Sequence, residues 1–330
     1  MYDVVGFGEP LLRLTPSGRC RLEQARAFEM VVGGSELNVL ISLSRLGMRT
    51  GLLTRLPQND LGRLVENEAR SHGVDTSPVL WAAEGRMGLY FLEQGAWPRL
   101  NRVLYDRSGS AMCQLEPGMI SWEEVLPGTR LFHTTGITPA LSPGCAQVTR
   151  EGVQVCRRLG VTVSFDLNYR ARLWSAEQAR ATLVPLIEQV DILFAGEEHA
   201  RSILGCGARD AEGVARDLHR RFGLRVAVVP VRTEVSVMRS QWEVLAFDGQ
   251  DVIRDRRYEM EVVDRVGAGD AFAAGFLYSY LRDPGDLAKA LKYGNANAVL
   301  KHSIPGDYAW TSREEIEGLL AGTGGPAVNR

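Results

Sequence analysis

The chain has 330 residues, 45% of them hydrophobic, and a formal net charge of −2. This balance excludes the strongly basic surface typical of nucleic-acid binding, and no apolar run approaches the roughly 20 residues that a membrane helix needs. Five cysteines without a C-x-x-C spacing indicate neither a disulfide framework nor a zinc site, so we expect a cytoplasmic protein.

Short apolar runs alternate with helical patterns along most of the chain. Candidate strands are residues 3–6, 51–54, 131–134, 161–166, 191–195 and 226–231. Candidate helices are residues 35–46, 61–72, 144–159, 176–189, 211–222, 268–281 and 287–301. This alternation predicts an α/β fold with a doubly wound, mostly parallel sheet flanked by helices. Ligands of such folds bind beyond the carboxyl ends of the strands.

Four short strand-like segments interrupt this alternation, at residues 11–14, 27–31, 88–93 and 102–105. They are poorly placed for a parallel sheet. We therefore predict a small β-sheet lid, contributed by about residues 10–32 and 86–108, that can cover a ligand; the alternative is a hairpin without a role. Residues 1–321 are expected to form a single domain, and residues 322–330 a flexible tail.

The segment Gly33-Gly34-Ser35-Glu36-Leu37-Asn38 is a glycine turn that opens an apolar helix. Paired glycines allow a ligand to approach the backbone closely. Ser35 is alternatively a helix cap, and Asn38 is alternatively structural. A ligand site and a structural turn therefore both stay open here.

A second glycine turn, Asp264-Arg265-Val266-Gly267-Ala268-Gly269-Asp270, also leads into a helix. Such a turn leaves backbone N–H groups unpaired at the positive end of the helix dipole, which suits an anion. A carboxylate beside an anion is explained if Asp270 takes a proton from a hydroxyl that attacks a phosphate. The alternative is an ordinary turn with Asp270 as a first-turn acid.

Two arginines follow strand-like segments on the side where ligands are expected. Arg107 ends the second pair of lid segments, and Arg170 follows the apolar run 161–165 and the polar residues Asp166 and Asn168. Guanidinium groups bind carboxylates in a bidentate manner, so two arginines at one pocket favour an anionic substrate, with ATP as the alternative partner.

An oxidoreductase with a dinucleotide fold is disfavoured. The segment Gly6-Phe7-Gly8 follows a predicted strand, but the third glycine of G-x-G-x-x-G would fall on Leu11. The carboxylate of Asp270, directly behind the glycine turn, also does not suit a nicotinamide site.

Taken in order, these motifs resemble the two signatures of the ribokinase-like (PfkB-type) carbohydrate kinases. Longer strings resemble the 2-keto-3-deoxygluconate kinase branch of that family. They are GGSELN at 33–38, GLYFLE at 88–93, VLYDRSGSA at 103–111, TGITPALSP at 135–143, DLNYRARLW at 166–174, VGAGDAFAAG at 266–275 and IPGDY at 304–308. Together they span nearly the whole chain.

The resemblance implies a role for each matching residue. Asp270 is implied as the catalytic base, with the N–H groups of Gly267, Ala268 and Gly269 as an anion hole. The implied substrate contacts are Gly34, Asn38, Tyr90, Tyr105, Arg107, Ile137, Arg170 and Asp307. The implied ATP contacts are Asn168, Arg232, Thr233, Glu234, Ser236, Gly267, Gly269 and Asn295.

Three positions depart from the family pattern. The Asn-x-x-Glu element associated with magnesium is Gly196-Glu197-Glu198-His199 here. The metal ligands are therefore unassigned, and Glu197 and Glu198 are candidates acting through water. Arg265 stands where a threonine is common, and Arg232-Thr233-Glu234 replaces a Lys/Arg-x-Gly strand turn.

The resemblance implies an ATP-dependent kinase that phosphorylates the terminal hydroxyl of a sugar acid, in particular 2-keto-3-deoxygluconate. Mg²⁺ is the expected cofactor, a requirement for a monovalent cation is left open, and a homo-oligomer, dimeric or higher, is expected through the lid. Neither nucleic acid nor membrane is expected as a partner. The alternatives are a kinase of a neutral sugar (fructose or ribose) or of a nucleoside, and a non-catalytic sugar-acid sensor motivated by Gly196 and His199.

Overall fold

The computed structural model describes residues 1–236 and 238–322, and for residues 232–236 it describes the backbone alone. The helices in this part of the chain are α1 Ser35–Arg45, α2 Asp60–Ser71, α3 Trp122–Val125, α4 Pro143–Leu159, α5 Ala176–Ile187, α6 Glu197–Ser202, α7 Ala211–Phe222, α8 Ala268–Arg282, α9 Leu287–His302 and α10 Arg313–Leu320. The strands are β1 Val4–Phe7, β2 Leu11–Pro16, β3 Phe28–Gly33, β4 Thr50–Leu53, β5 Arg55–Pro57, β6 Leu80–Ala82, β7 Leu89–Glu93, β8 Arg102–Asp106, β9 Leu131–Thr135, β10 Thr162–Asp166, β11 Ile192–Phe194, β12 Val226–Ser236, β13 Arg239–Phe247, β14 Val252–Arg254 and β15 Tyr258–Glu261. The predicted tail falls almost wholly on residues 323–330, outside the described residues.

The main sheet has the strand order β14-β13-β12-β11-β10-β9-β1-β4, and β15 also pairs with β13. The strands from β12 to β4 run parallel, and in the register of β1 Val5 lies opposite Gly51 on one side and Phe132 on the other. This confirms the prediction of a mostly parallel, doubly wound sheet. The apolar runs that predicted these strands are buried because helices cover both faces.

One edge of the sheet differs from the prediction. The strand predicted at 226–231 continues to Ser236, and β13, β14 and β15 extend the sheet in antiparallel fashion. These strands carry polar residues at alternate positions, as in β13 (RSQWEVLAF), and so lack the continuous apolar run used to find the others. The sequence also did not predict helices α6 and α10 or the strand pair β5–β6. These elements are short and partly exposed, so they too lack a long apolar pattern.

Two hydrophobic clusters lie on opposite faces of the main sheet. Helices α1, α8 and α9 pack on one face, where Leu40 and Phe276 are fully buried. Helices α4, α5 and α7 pack on the other face, around Phe132 and Phe165. Since both faces are covered, the edge at the carboxyl ends of the parallel strands is the side left for a ligand.

The four predicted short segments form a second, four-stranded sheet with the order β3-β2-β7-β8, called the lid sheet below. Its register aligns Val31, Arg13, Tyr90 and Tyr105 across the strands on one face. The opposite face carries Met30, Leu14, Phe91 and Leu104 in register, with Phe28 next to them. The lid sheet therefore has one face with polar groups and one apolar face.

Within the described part of the chain, none of the helices combines the length and the apolar character that crossing a bilayer requires.

Candidate functional site

The first turns of α1 and α8 meet beyond the carboxyl ends of β1, β9 and β10. The carboxylate of Asp270 joins them: its Oδ1 accepts a hydrogen bond from Ser35 Oγ at 2.6 Å, and its Oδ2 accepts one from Asn38 Nδ2 at 2.7 Å. Asn168 Nδ2 donates to the same Ser35 hydroxyl at 3.0 Å. The two glycine turns therefore build one site. The alternative interpretation of Ser35 as a helix cap is wrong, because Gly34 occupies the cap position.

The ionisation of Asp270 is set by opposing effects. Burial raises the pKa of this carboxyl above its ordinary value, and the hydrogen bonds from Ser35 and Asn38 lower it. The positive charges of Arg170 and Lys301 also lower it, but the net direction is upward. Asp270 is thus a stronger base than a carboxylate in water, while its two oxygens keep a fixed direction.

The turn before Asp270 retains free backbone donors. Gly267 has a left-handed conformation (φ 77°, ψ 3°), and its carbonyl accepts from the N–H of Ala271 at 2.8 Å. The N–H of Ala268 makes a long hydrogen bond to the carbonyl of Arg265 at 3.4 Å. Among the described residues, the N–H groups of Gly267, Gly269 and Asp270 donate no hydrogen bond. The start of α8 therefore has the donors that an anion requires.

The first glycine turn is tightly packed against its neighbours. A Cβ on Gly34, whose φ is 139°, would lie 2.7 Å from the carbonyl oxygen of Glu9 and 2.8 Å from Cα of Pro10. A Cβ on Gly33 would lie 2.0 Å from the carboxylate of Asp307. Close backbone packing thus requires the glycine at position 34, and the side chain of Asp307 leaves no room for a Cβ at position 33. A substrate contact at Gly34 stays a prediction.

Arg107 is held by a carboxylate of the protein itself. Its Nε donates to Oε2 of Glu9 at 2.8 Å, its Nη2 contacts the same oxygen, and the Ser110 hydroxyl contacts Glu9 Oε1. The guanidinium lies 5.8 Å from the centre of the Tyr105 ring. Glu9 was missed in the sequence, although a carboxylate directly after a buried strand was the available signal. Arg107 is thus buried and oriented, rather than extended into solvent.

A second buried arginine, Arg13, was also missed. Its Nη1 donates to Asp307 Oδ1 at 2.7 Å, its Nη2 donates to Asp264 Oδ2 at 2.6 Å, and the Tyr90 hydroxyl donates to Asp307 Oδ2. Burial raises the pKa of Asp307 to about 6, against the lowering effect of Arg13. Tyr90 and Asp307, both predicted to contact the substrate, therefore lie together, and both Asp307 oxygens have protein partners. A charged residue in the apolar strand LLRLTP was the signal for Arg13.

The segment after β10 presents Asp166, Asn168 and Arg170. Asn168 adopts a left-handed conformation (φ 35°), and its N–H donates to Asp166 Oδ1 at 3.0 Å. Nη1 of Arg170 donates to the carbonyls of Tyr169 at 3.1 Å and Asn168 at 3.4 Å. Burial and the charge of Asp270 raise the pKa of Asp166 to about 7. The charge of Arg170 lowers the pKa of both Asp166 and Asp270, so its guanidinium acts on two carboxylates of the site.

Glu36 is a further buried carboxylate that sequence reasoning did not assign. Its Oε1 accepts from the N–H of Thr135 at 3.0 Å, from the Thr135 hydroxyl at 2.8 Å and from the Thr138 hydroxyl at 3.0 Å. The N–H of Ile137 donates to the same Thr135 hydroxyl at 3.2 Å. Burial raises the pKa of Glu36 to about 7. This carboxylate therefore fixes the turn that contains Ile137 against the first turn of α1.

The predicted ATP contacts are described only in part. The side chains of Arg232, Thr233, Glu234 and Ser236 lie outside the described residues. Asn295 is buried, and its Nδ2 donates to Asp255 Oδ2 at 2.6 Å and to the carbonyl of Arg256 at 2.9 Å. Its Oδ1 has no partner in the described part of the chain. Asn295 thus has one unused acceptor.

The metal candidates make few contacts. Glu197 Oε2 accepts from Arg201 at 2.5 Å, within α6, and Glu198 is exposed. The described residues contain no group of three or more His, Cys, Asp or Glu side chains that fits a metal ion. Mg²⁺ commonly keeps several waters and binds through substrate phosphates with one or two carboxylates, so such a group is not required.

Comparison with known proteins identifies the family. The profile of the pfkB family of carbohydrate kinases matches residues 3–309. A 2-dehydro-3-deoxygalactonokinase of Haloferax volcanii is 38% identical over 320 residues, which cover 97% of each chain. A 5-dehydro-2-deoxygluconokinase of Bacillus licheniformis is 30% identical over 327 residues, covering 97% of this chain and 96% of the relative.

A solved structure gives the same result for the fold. The 2-dehydro-3-deoxygluconokinase of Thermotoga maritima superposes with a TM-score of 0.93 at 38% identity, covering 96% of this chain and 98% of that one. Kinases of this family use ATP with Mg²⁺. The chain therefore belongs to the pfkB family of carbohydrate kinases and is an ATP-dependent sugar kinase.

Proposed function

We propose that this kinase phosphorylates the terminal hydroxyl of a sugar acid, in particular 2-keto-3-deoxygluconate (2-dehydro-3-deoxygluconate), to give the 6-phosphate. The observation that carries the chemistry is the Asp270 carboxylate, held by Ser35 and Asn38 beside the free N–H groups at the start of α8. Relatives at 38% identity that are named for 2-dehydro-3-deoxy sugar acids support this class of acceptor.

Asp270 acts as the general base in the proposed reaction. The sugar hydroxyl transfers its proton to the carboxylate as its oxygen forms a bond to the γ-phosphorus. The bond from that phosphorus to the β–γ bridging oxygen breaks, and ADP leaves with the bonding electrons. The N–H groups of Gly267 and Gly269 stabilise the negative charge on the transferring group. Positioning and charge stabilisation supply most of the catalysis of phosphoryl transfer, so a small set of groups suffices.

The phosphates of a nucleotide fit the N–H donors at this end of α8. Asn168, Asn295 and the strand residues Arg232–Ser236 are the proposed ATP contacts, and Glu197 and Glu198 are candidates to hold Mg²⁺ through water. When bound, Mg²⁺ neutralises charge on the β- and γ-phosphates. A requirement for a monovalent cation is left open.

Arg107 and Arg170 select an acidic acceptor in this proposal. Glu9 occupies Nε and Nη2 of Arg107, but Nη1 has no acceptor among the described residues. A substrate carboxylate can therefore bind at Nη1 without displacing Glu9. We assign the hydroxyl groups of the substrate to the side chains of Tyr90, Tyr105 and Asp307. The remaining proposed substrate contacts are the backbone of Gly34 and of Ile137 and the side chain of Asn38.

We expect Arg107→Met to raise KM for the keto acid by about 100-fold, because a charge-assisted hydrogen bond of about 2–3 kcal/mol is lost. KM for a neutral sugar should change less than about threefold. The double variant Arg107→Met, Glu9→Gln removes the buried carboxylate that the single variant leaves unpaired. Arg86→Met is the control, since Arg86 pairs with Asp106 at the lid edge and both are largely exposed. Equal losses for acid and neutral sugar would exclude Arg107 as the group that recognises the carboxylate.

The substrate is tested by a coupled ADP-release assay with several acceptors in parallel. The set is 2-keto-3-deoxygluconate, 2-keto-3-deoxygalactonate, 5-keto-2-deoxygluconate, fructose, ribose and a nucleoside. The proposal expects the highest kcat/KM for a 2-keto-3-deoxy acid. A preference for a neutral sugar or the nucleoside contradicts the sugar-acid assignment.

A non-catalytic sugar-acid sensor is the second candidate. It is favoured by Gly196 and His199, which replace both end residues of the family's Asn-x-x-Glu element. His199 instead packs its ring against Tyr169 at 5.6 Å. Binding of a keto acid without ADP release in the same assay supports the sensor and contradicts the kinase proposal.

Residues 1–321 form a single domain in this proposal. The apolar face of the lid sheet supports the assembly of such domains into a homo-oligomer, dimeric or higher. Phe28, Met30 and Leu104 on this face are 41%, 44% and 44% exposed, although large apolar side chains are usually buried.

We expect Leu104→Lys to reduce the molar mass measured by light scattering from a multiple of 36.4 kDa to 36.4 kDa. Arg102→Lys on the same strand is the control. A wild-type mass of 36.4 kDa would contradict the proposal.

A further inference from the structure

Arg13 connects the lid sheet to the main domain through a buried guanidinium. It lies on β2 between Val31 and Tyr90 of the neighbouring strands and is 3% exposed. All three of its nitrogens donate: Nε to the Thr15 hydroxyl at 3.0 Å, and Nη1 and Nη2 to two different aspartates. Each of the three nitrogens therefore has a protein partner, and the guanidinium is held in one orientation within the protein.

The first of these aspartates, Asp264, begins the glycine turn that leads into α8. Its Oδ1 accepts from the N–H of Val266 at 3.0 Å, which closes the turn from within. Its Oδ2 accepts from Arg13 at 2.6 Å and from the N–H of Gly306 at 3.2 Å. Its carbonyl accepts from Lys301 Nζ at 3.3 Å. The beginning of the turn is thus fixed by one lid residue and two residues of the main domain.

The second aspartate, Asp307, borders the same turn from the opposite side. Its backbone is so close to Gly267 that a Cβ on the glycine would lie 1.5 Å from the carbonyl oxygen of Asp307. Its carboxylate accepts from Arg13 Nη1 at 2.7 Å and from the Tyr90 hydroxyl. Both carboxylates held by Arg13 therefore belong to segments that contact or form the turn.

Arg13 is the charged hydrogen-bond donor to the carboxylates of Asp264 and Asp307. Asp264 and Asp307 are both buried, and a second cation that interacts with both, Lys301, has a pKa that is lowered by its own burial. Lys301 donates to backbone carbonyls of Asp264 and Ile304 rather than to either carboxylate. Loss of Arg13 therefore removes the charged hydrogen-bond donor that the two buried carboxylates share among the described residues, and we expect this loss to destabilise the arrangement of both segments.

We propose that Arg13 is a positioning residue for phosphoryl transfer: it joins the lid sheet to the turn 264–270, so that the lid sets the position of the free N–H groups and Asp270. The inference deepens the proposed function and rests on it for the role of that turn. Arg13 touches neither the reacting atoms nor the substrate. Its effect passes through Asp264 and Asp307.

The test compares Arg13→Met, which keeps an unbranched apolar stem but lacks the guanidinium, with Arg13→Lys, which keeps one charge but not the fork. We expect kcat of Arg13→Met to fall by about 10- to 100-fold, as for a displacement of about 1 Å in a catalytic group. The dissociation constant for ATP, measured by calorimetry, should stay within about threefold of wild type. Arg13→Lys should recover part of kcat. Arg86→Met serves as the matched lid control, with unchanged kcat.

Hydrogen exchange gives a readout that is independent of the acceptor. We expect the amides of residues 264–270 to exchange at least about tenfold faster in Arg13→Met, with the amides of α7 unchanged. A purely structural role predicts faster exchange throughout, a lower thermal midpoint and an unchanged kcat per folded molecule, and would overturn the inference. If wild type releases no ADP with any acceptor, the proposed function fails. Hydrogen exchange of residues 264–270 in Arg13→Met then tests by itself whether Arg13 positions the turn. If Arg13→Met does not fold, Arg13→Lys carries the same comparison.

Discussion

We expect Asp270→Asn to lower kcat by about 10²- to 10⁴-fold, the usual contribution of a general base. The asparagine oxygen can accept from Asn38 Nδ2, and its amide can donate to the Ser35 hydroxyl, so both contacts of Asp270 persist in an isosteric side chain. Only the capacity to take a proton is lost. The coupled ADP-release assay measures kcat, and calorimetry should give dissociation constants for ATP and the keto acid within about threefold of wild type.

Asp210→Asn is a matched control for this variant. Asp210 caps α7 and accepts from the N–H of Gly213 at 2.7 Å, far from the site in the fold, and an asparagine caps a helix equally well. Its kcat should equal that of wild type. Turnover of Asp270→Asn close to wild type would remove Asp270 from the role of base, whatever the substrate.

The dependence of kcat/KM on pH follows from the same carboxylate. Asp270 accepts a proton only when ionised, so the rate must fall as the pH falls through its pKa. Because burial raises that pKa above the ordinary 3.8, the acid limb lies above the range of a solvent-exposed aspartate. Glu36 and Asp166 each have a pKa of about 7, so both carboxylates lose their negative charge as the pH falls through 7. The residual rate of Asp270→Asn should lack the limb that Asp270 causes.

The parts of the fold that could be predicted are those fixed by local pattern. Continuous apolar runs identified the parallel strands, and the two glycine turns predicted where helices α1 and α8 begin. Asp270 and Asn38 could be named because they lie within those turns. Their direct hydrogen bond could not, since 232 residues separate them in the sequence.

The parts that could not be predicted depend on partners distant in the sequence. Arg13 and Asp307 are 294 residues apart, and Glu9 and Arg107 are 98 residues apart. A charged residue in an apolar strand signals that a buried partner exists, because an unpaired buried charge is costly, but the pattern does not say which residue it is. Glu36 is a similar case: its partners Thr135 and Thr138 become neighbours only when β9 pairs beside β1.

We expect Gly267→Ala to lower kcat by at least about 10²-fold and to lower the thermal midpoint. An alanine at φ 77° costs about 1–2 kcal/mol in backbone conformation alone. The larger effect is steric, since the new Cβ would lie 1.5 Å from the carbonyl oxygen of Asp307. Either the turn or the segment of Asp307 must move by more than an ångström, and a displacement of this size costs about 10² in rate.

Gly160→Ala separates the two causes. Gly160 ends α4 with a similar left-handed φ of 69°, but among the described residues other than its two chain neighbours, no atom lies within 4 Å of a Cβ placed there. Its substitution therefore carries the conformational cost without the collision. We expect a modestly lower thermal midpoint in this control, measured by calorimetry, and an unchanged kcat.

The comparison tests whether the position of the turn, and not only its composition, determines the rate. If Gly267→Ala loses stability to the same extent as Gly160→Ala and keeps its turnover, the free N–H groups tolerate displacement and the anion-binding role of the turn is wrong. If kcat falls by about 10²-fold or more while the folded fraction at the assay temperature stays high, displacement of the turn accounts for the loss. The second outcome follows from the geometry, because Asp307 contacts Gly267 with its carbonyl and Arg13 with its carboxylate. A shift of Asp307 to admit the methyl group therefore also pulls on the lid sheet, and the backbone donors and Asp270 lose their alignment together.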